Sequence, residues 1–102
     1  MTVKLTVVYG TPEDADAFDK RYMDGHMPIV QRWPNVQKIE VAKVSGGPFG
    51  SPSPYHLITE IYFADDDALN AALGSEAGGE AAKDFMAIAP SGSFMTVSEV
   101  VG

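Results

Sequence analysis

Two side chains four residues apart, Tyr22 and His26 in the stretch RYMDGHMPIV, carry the acid–base chemistry this sequence makes available. Imidazole is the side chain that titrates near neutral pH, so a histidine aimed at a pocket serves as general acid or base. Tyr22, one helical turn earlier, is placed to orient that ring or to donate a hydrogen bond beside it. Gly25 and Pro28 bracket the histidine. Pro28 has no N–H for the carbonyl of Asp24 and disfavours helical dihedrals at Met27, so a helix here is expected to kink or end near His26. A helix C-terminus favours charged histidine while apolar burial opposes it, a balance suited to a proton shuttle. The competing reading is structural: His26 packs inside and donates to a carbonyl that the proline frees, such as that of Asp24.

Other candidates carry less. Tyr9, Trp33 and Tyr62 are ordinary core types that would also suit the wall of an apolar ligand cavity. His56 alternates with Ile58, Glu60 and Tyr62 and reads as a surface residue at a strand end. Glu60 either faces a pocket between subunits or pairs with Lys4 or Lys43. Two histidines thirty residues apart, with no cysteine, leave no recognisable metal-ligand spacing, thiolate nucleophile or disulfide. Asp65-Asp66-Asp67 lacks the glycine and later glutamate of an EF-hand loop and reads as a helix cap. SGGPFG, residues 45 to 50, precedes no helix and lacks the Lys-Ser/Thr ending of a phosphate loop. No metal and no organic cofactor are expected.

The elements that must position these residues follow from pattern. VKLTVVY, residues 3 to 9, reads as a buried strand. Thr11 can cap a helix with Pro12 at its first position and Glu13, Asp14 and Asp16 on the positive end of its dipole. Ala15, Phe18, Tyr22, His26 and Ile29 then recur at steps of three and four, one apolar face interrupted by the histidine. After the turn Trp33-Pro34-Asn35, residues 36 to 44 alternate as a second strand. Residues 45 to 54, with three glycines and three prolines, form a loop, and YHLITEIYF, 55 to 63, a third strand. Asp65 to Asp67 cap a short helix with Ala68, Leu69, Ala72 and Leu73 inward, ended by Gly74. After the Gly78-Gly79 pair, residues 80 to 89 resume helical spacing, and 93 to 101 alternate as a last strand.

This order predicts an α+β, ferredoxin-like βαββαβ fold with one antiparallel sheet. Leu5, Val7 and Tyr9 point one way and Val8 the other; Tyr55, Leu57, Ile61 and Phe63 share one face, Ile58 and Tyr62 the opposite one. Two helices cover one face, so the other is expected to meet a second copy, sheet against sheet, in a homodimer.

A chain of 102 residues with 45% hydrophobic content fits one domain spanning 1–102. Fourteen acids against seven bases, a formal charge of −7, argue against nucleic acid and anionic membrane surfaces as partners. There is no run of ~18 apolar residues. The start MTVKLTVVYG lacks the pattern of a signal peptide, so the expected location is cytoplasmic.

Over Val3 to about Phe94, the segments VKLTVVYGTPEDADAFDKRYMDGHMPIV, PNV, EV, PYHLITEIYF and AAKDF resemble the EthD family, named for ethyl tert-butyl ether degradation. The most specific element is Tyr-x-x-x-His-x-Pro, here Tyr22, His26 and Pro28, preceded by Ala17-Phe18-Asp19. Two features depart from the pattern: Pro34-Asn35-Val36 replaces the usual Pro-Gly-Leu, and Ile88 stands where an aromatic usually follows the aspartate, here Asp84, by four positions. The resemblance implies a dimeric α+β barrel, within a superfamily of lactone isomerases, cofactor-free monooxygenases and polyketide cyclases, besides members without known activity. Two readings follow. In one, the protein is a cofactor-independent isomerase or cyclase acting on a small, partly apolar, carbonyl-bearing compound, with His26 as acid/base, Tyr22 assisting, and Tyr9, Trp33 and Tyr62 lining the site. In the other, it is an accessory protein that binds a small hydrophobic ligand or supports a partner oxygenase, with His26 structural.

Overall fold

The computed structural model describes residues 1–102. The β-branched and aromatic runs become the two inner strands, β1 (Val3–Gly10) and β3 (Tyr55–Phe63), and β2 (Lys38–Lys43) and β4 (Phe94–Glu99) flank them in the order β2-β3-β1-β4. Every neighbouring pair is antiparallel, so paired residues share a face. The inner face carries Val3, Leu5, Val7 and Tyr9 of β1 with Leu57, Thr59, Ile61 and Phe63 of β3, all buried. Helical segments α1 (Ala15–Arg21), α2 (Met27–Val30), α3 (Asp66–Leu73) and α4 (Glu76–Ile88) cover this face. The fold is α+β and ferredoxin-like. No helix is long and apolar enough to cross a membrane.

Four local features differ from the expectation. The first helix starts later: Asp14, not Thr11, is its cap, accepting from the Ala17 N–H, while the Thr11 hydroxyl donates to the Pro54 carbonyl. The helix neither ends nor breaks at His26, because Tyr22–His26 form a π-helical turn in which the Met27 N–H reaches back to the Tyr22 carbonyl. Pro28 follows directly, in the first turn of α2. Thirdly, the Gly78-Gly79 pair lies inside α4, which Ser75 caps by accepting from the Gly78 N–H. A Cβ at position 78 would collide with the carbonyl oxygens of Ala72 and Leu73, so Gly78 is what lets α4 start against the end of α3.

Lastly, a bulge between Tyr9 and Gly10 reverses the alternation at the start of β3. Tyr55 turns to the outer face, edge-on to Phe94 at 5.7 Å. His56, expected at the surface, is half-buried and bonded to Asp19 of α1 at 2.6 Å, with Lys43 on the other carboxylate oxygen at 2.7 Å.

Candidate active site

The π-turn decides what His26 can reach. One residue more than an α-helical turn lets two consecutive side chains, His26 and Met27, face inward, at 5% and 6% exposure. It also advances the stripe by one residue, so Val30 is buried where Ile29 was expected. The His26 ring stacks on Tyr22, centroids 5.4 Å apart and planes 27° from parallel.

The partner of His26 is a carboxylate rather than the Asp24 carbonyl. Nδ1 lies 2.8 Å from Asp84 Oδ2, on α4. Arg21, in the turn before, holds both oxygens of the same carboxylate, Nη1 donating to Oδ2 at 3.2 Å and Nη2 to Oδ1. The guanidinium keeps the Asp84 carboxyl below its ordinary range; partial burial opposes this, and the bond to His26 adds to it. Asp84 is thus an anion whose two oxygens are fixed, and it orients one imidazole nitrogen. No buried side-chain nitrogen or oxygen lacks a partner, and Nε2 bonds to no protein atom. Nε2 therefore opens on free space.

That space is a cavity of about 110 Å³ between the sheet and the helices. Leu5, Val7 and Ile61 form its floor, Val30, Trp33, Ala81 and Phe85 its roof, and Leu73 and Met95 stand at its half-exposed rim. Its polar groups are His26, Tyr22, Thr59 and Tyr9. The Tyr22 hydroxyl and Thr59 Oγ1 share a hydrogen bond, Tyr22 being fully buried. Burial raises the phenols of both Tyr22 and Tyr9 above the ordinary value, so both remain O–H groups at neutral pH. Two hydroxyls sharing one hydrogen bond always retain one further proton to donate. The His26 ring, with one nitrogen left free by Asp84, and the Tyr22–Thr59 hydroxyl pair thus line one apolar chamber.

The structure brings together four of the five residues singled out from sequence. Tyr9, Tyr22, His26 and Trp33 all line the cavity; Trp33 also donates from Nε1 to the Ala77 carbonyl at 3.2 Å, fixing it against α4. Tyr62 does not join them. Its parity puts it on the outer face, donating to Glu40 at 2.9 Å with Lys4 and Lys38 over its ring. Glu60, on the same face, pairs with Lys4. Asp84, Arg21 and Thr59 went unremarked as site residues. Asp84 left a trace: it is the acid within the stripe Ala81, Asp84, Phe85, Ile88 at steps of three, one and three. Thr59 is the hydroxyl between Leu57 and Ile61 on an otherwise apolar parity. No group of three or more His, Cys, Asp or Glu side chains is arranged to hold a metal ion.

Comparison with known proteins places this geometry. Over 96 residues the chain is 32% identical to an uncharacterized 11.0 kDa protein of the thcB-thcC intergenic region of Rhodococcus erythropolis, covering 94% of this chain and 92% of that one. The crystal structure of an ethyl tert-butyl ether degradation (EthD) family protein from Bacillus halodurans superposes with a TM-score of 0.93 at 31% identity, covering 99% and 100% of the two chains. Two more distant structures share the fold alone. One is a hydroxynitrile lyase from Passiflora edulis, with a TM-score of 0.80, 11% identity and coverage of 98% and 94%. The other is a dimeric ferredoxin-like protein of unknown function from Jannaschia, with a TM-score of 0.73, 16% identity and coverage of 98% and 100%. The EthD domain model matches residues 11–89, and on that match together with the Bacillus halodurans structure the chain belongs to the EthD family.

Proposed function

We propose that this protein is a cofactor-independent isomerase or cyclase, acting by proton transfer on a small carbonyl-bearing compound held between sheet and helices. The observation that carries the reading is the Arg21–Asp84–His26 arrangement, which commits Nδ1 to a fixed carboxylate and leaves Nε2 on the cavity. With Nδ1–H donated to Asp84, Nε2 holds the lone pair and takes a proton from the carbon next to the ligand carbonyl. The electron pair of that C–H bond becomes the C=C bond of an enolate as the carbonyl π pair moves onto oxygen, which accepts a hydrogen bond from the Tyr22–Thr59 pair. Where the substrate carries a C=C bond next to that carbon, the enolate extends over it, and return of the proton from Nε2 to the far carbon shifts the double bond and gives the isomer. Attack of the enolate carbon on a second carbonyl of the same molecule forms the C–C bond and an alkoxide, which takes the proton back from Nε2 to give the ring-closed alcohol.

The working unit in this proposal is a homodimer. Tyr55 and Phe94, 36% and 42% exposed, form an apolar patch on the outer face with the half-buried Ile58, around the buried Val8. The lyase and the dimeric neighbour show that this fold elsewhere carries catalysis and pairs with itself.

The test is solvent-deuterium incorporation by NMR into a panel of ring ketones and lactones. Wild-type protein should exchange or isomerise at least one compound ~10²-fold faster than His26→Ala, within the range expected of a general base. Equal rates for the two would remove His26 from the mechanism. Binding by a panel member with no exchange above buffer would favour the accessory-protein reading instead.

A further inference from the structure

We infer that the cavity beneath His26 admits uncharged molecules of about one six-membered ring and rejects both carboxylate-bearing and polycyclic analogues. The inference rests on the proposed use of this cavity as the substrate site, and narrows its ligand class by charge and by size.

Charge is decided by what the walls lack. Among the lining residues there is no lysine and no arginine. The two arginines nearest the site are committed elsewhere: Arg21 places both terminal nitrogens on Asp84, and Arg32 holds Glu80 at 2.6 Å. Arg21 and Asp84 cancel each other, so while the imidazole is neutral the group behind Nε2 offers an anion no net charge. A carboxylate entering here would give up its hydration against walls that are almost wholly apolar. The protein as a whole, at −7, repels anions during approach.

Size is decided by volume. At about 110 Å³ the chamber is smaller than typical small-molecule sites, which run to roughly 300–1,000 Å³. It is close to engineered apolar cavities of about 150 Å³ that bind benzene. Gly78 offers no room for growth, since the space beyond it is filled by the backbone of Ala72 and Leu73. Polar groups gather at the His26 end and leave the rest to Leu5, Val7, Ile61 and Trp33. The fitting ligand is thus an uncharged monocycle whose carbonyl lies at the His26 end and whose remainder is hydrocarbon, which favours the isomerase over the cyclase form of the proposed reaction.

Three probes separate the claims: cyclohexanone, 4-oxocyclohexanecarboxylate and anthrone, a tricyclic ketone, each titrated into the full chain at about pH 8, where histidine side chains are ordinarily neutral. Binding is followed by NMR shifts of the protein. Cyclohexanone should bind, with the carboxylate and the tricycle each at least ~10-fold weaker, the ratio that 1.4 kcal/mol produces. Leu73→Trp, at a rim position 40% exposed and therefore tolerant of the change, should weaken cyclohexanone binding several-fold. Failure of cyclohexanone to bind, either excluded probe binding as tightly, or indifference to Leu73→Trp would each overturn the inference. Deuterium exchange on the same samples reports separately on the chemistry. Selective binding without exchange leaves the ligand class standing while the enzyme reading fails; exchange on the carboxylate does the reverse.

Discussion

With Nδ1 bonded to Asp84, a neutral His26 ring carries its proton away from the cavity, and the proton transfer proposed for Nε2 depends on a residue that touches no substrate. Asp84→Asn removes the charge but preserves the shape, and its amide can present N–H to Nδ1 and so select the wrong tautomer. The expected outcome is a fall in kcat of at least ~10²-fold with KM nearly unchanged, the signature of a positioning residue. Stability follows the carboxylate's own titration. Because the folded Asp84 has its pKa lowered from 3.8, its contribution is fully present above that value and is lost as pH falls through the lower folded one. The gap in denaturation midpoint between wild type and Asp84→Asn should therefore narrow as pH falls below about 4 and close in stronger acid. The hydroxyl pair gives an independent check. Thr59→Val takes one hydrogen bond from the buried Tyr22 hydroxyl, which keeps Tyr9 beside it, and should cost roughly 0.5–1.5 kcal/mol, whereas Tyr22→Phe with Thr59→Val should recover part of that, a non-additivity readable in a urea melt.

At the scale of elements, the π-turn is the device that joins these residues, and Gly25 is its most informative position. A Cβ there would sit 2.5 Å from Arg21 Nη1, so the glycine clears the path by which the guanidinium reaches Asp84. Gly25→Ala sets two effects against each other: a helix gain of up to about 1 kcal/mol, and displacement of a half-exposed ion pair worth about as much or less. Stability should change by less than about 1 kcal/mol in calorimetry, while turnover drops because Asp84 loses its anchor. That combination would be hard to explain if the glycine merely loosened the helix. The strands, their order and the Asp65 cap were legible because local pattern determines them: β-branched alternation, turn residues, an acid before a helix. Phe18, Tyr22 and His26 were legible as one inner face for the same reason. What periodicity cannot register is an insertion of one residue. The π-turn shifted the stripe from Ile29 to Val30, and the Tyr9/Gly10 bulge turned Tyr55 outward and His56 onto Asp19. Nor can local pattern pair residues 58 and 63 positions apart, which is why Asp84 stayed hidden as the partner of His26 and Arg21 until α4 was seen against the π-turn.

For the whole molecule, the two faces of the sheet pose different problems. The helices cover the inner face of β1 and β3 around the cavity and leave Met95 and Val97 of β4 half-exposed at its edge; the outer face leaves Phe94, Tyr55 and Ile58 beside a charged end made by Lys4, Glu60, Glu40 and Lys38. Such a surface, apolar in one half and charged in the other, suits an isologous contact in which each copy presents the same patch. A stable contact buries about 800 Å² on each partner, a modest share of the 6082 Å² this chain exposes. Light scattering in solution should therefore give twice the chain mass of 10.9 kDa. Phe94→Asp together with Ile58→Glu places buried, unpaired charge in that contact and should return the protein to the single-chain mass. Neither residue lines the cavity, so the separated chains should still bind a small ring ketone if each copy carries a complete site. Loss of binding on dissociation would mean instead that the second copy shapes the half-exposed rim at Leu73 and Met95. A wild-type protein of single-chain mass at micromolar concentration would show that the outer face stays solvent-exposed, and the dimer would be withdrawn.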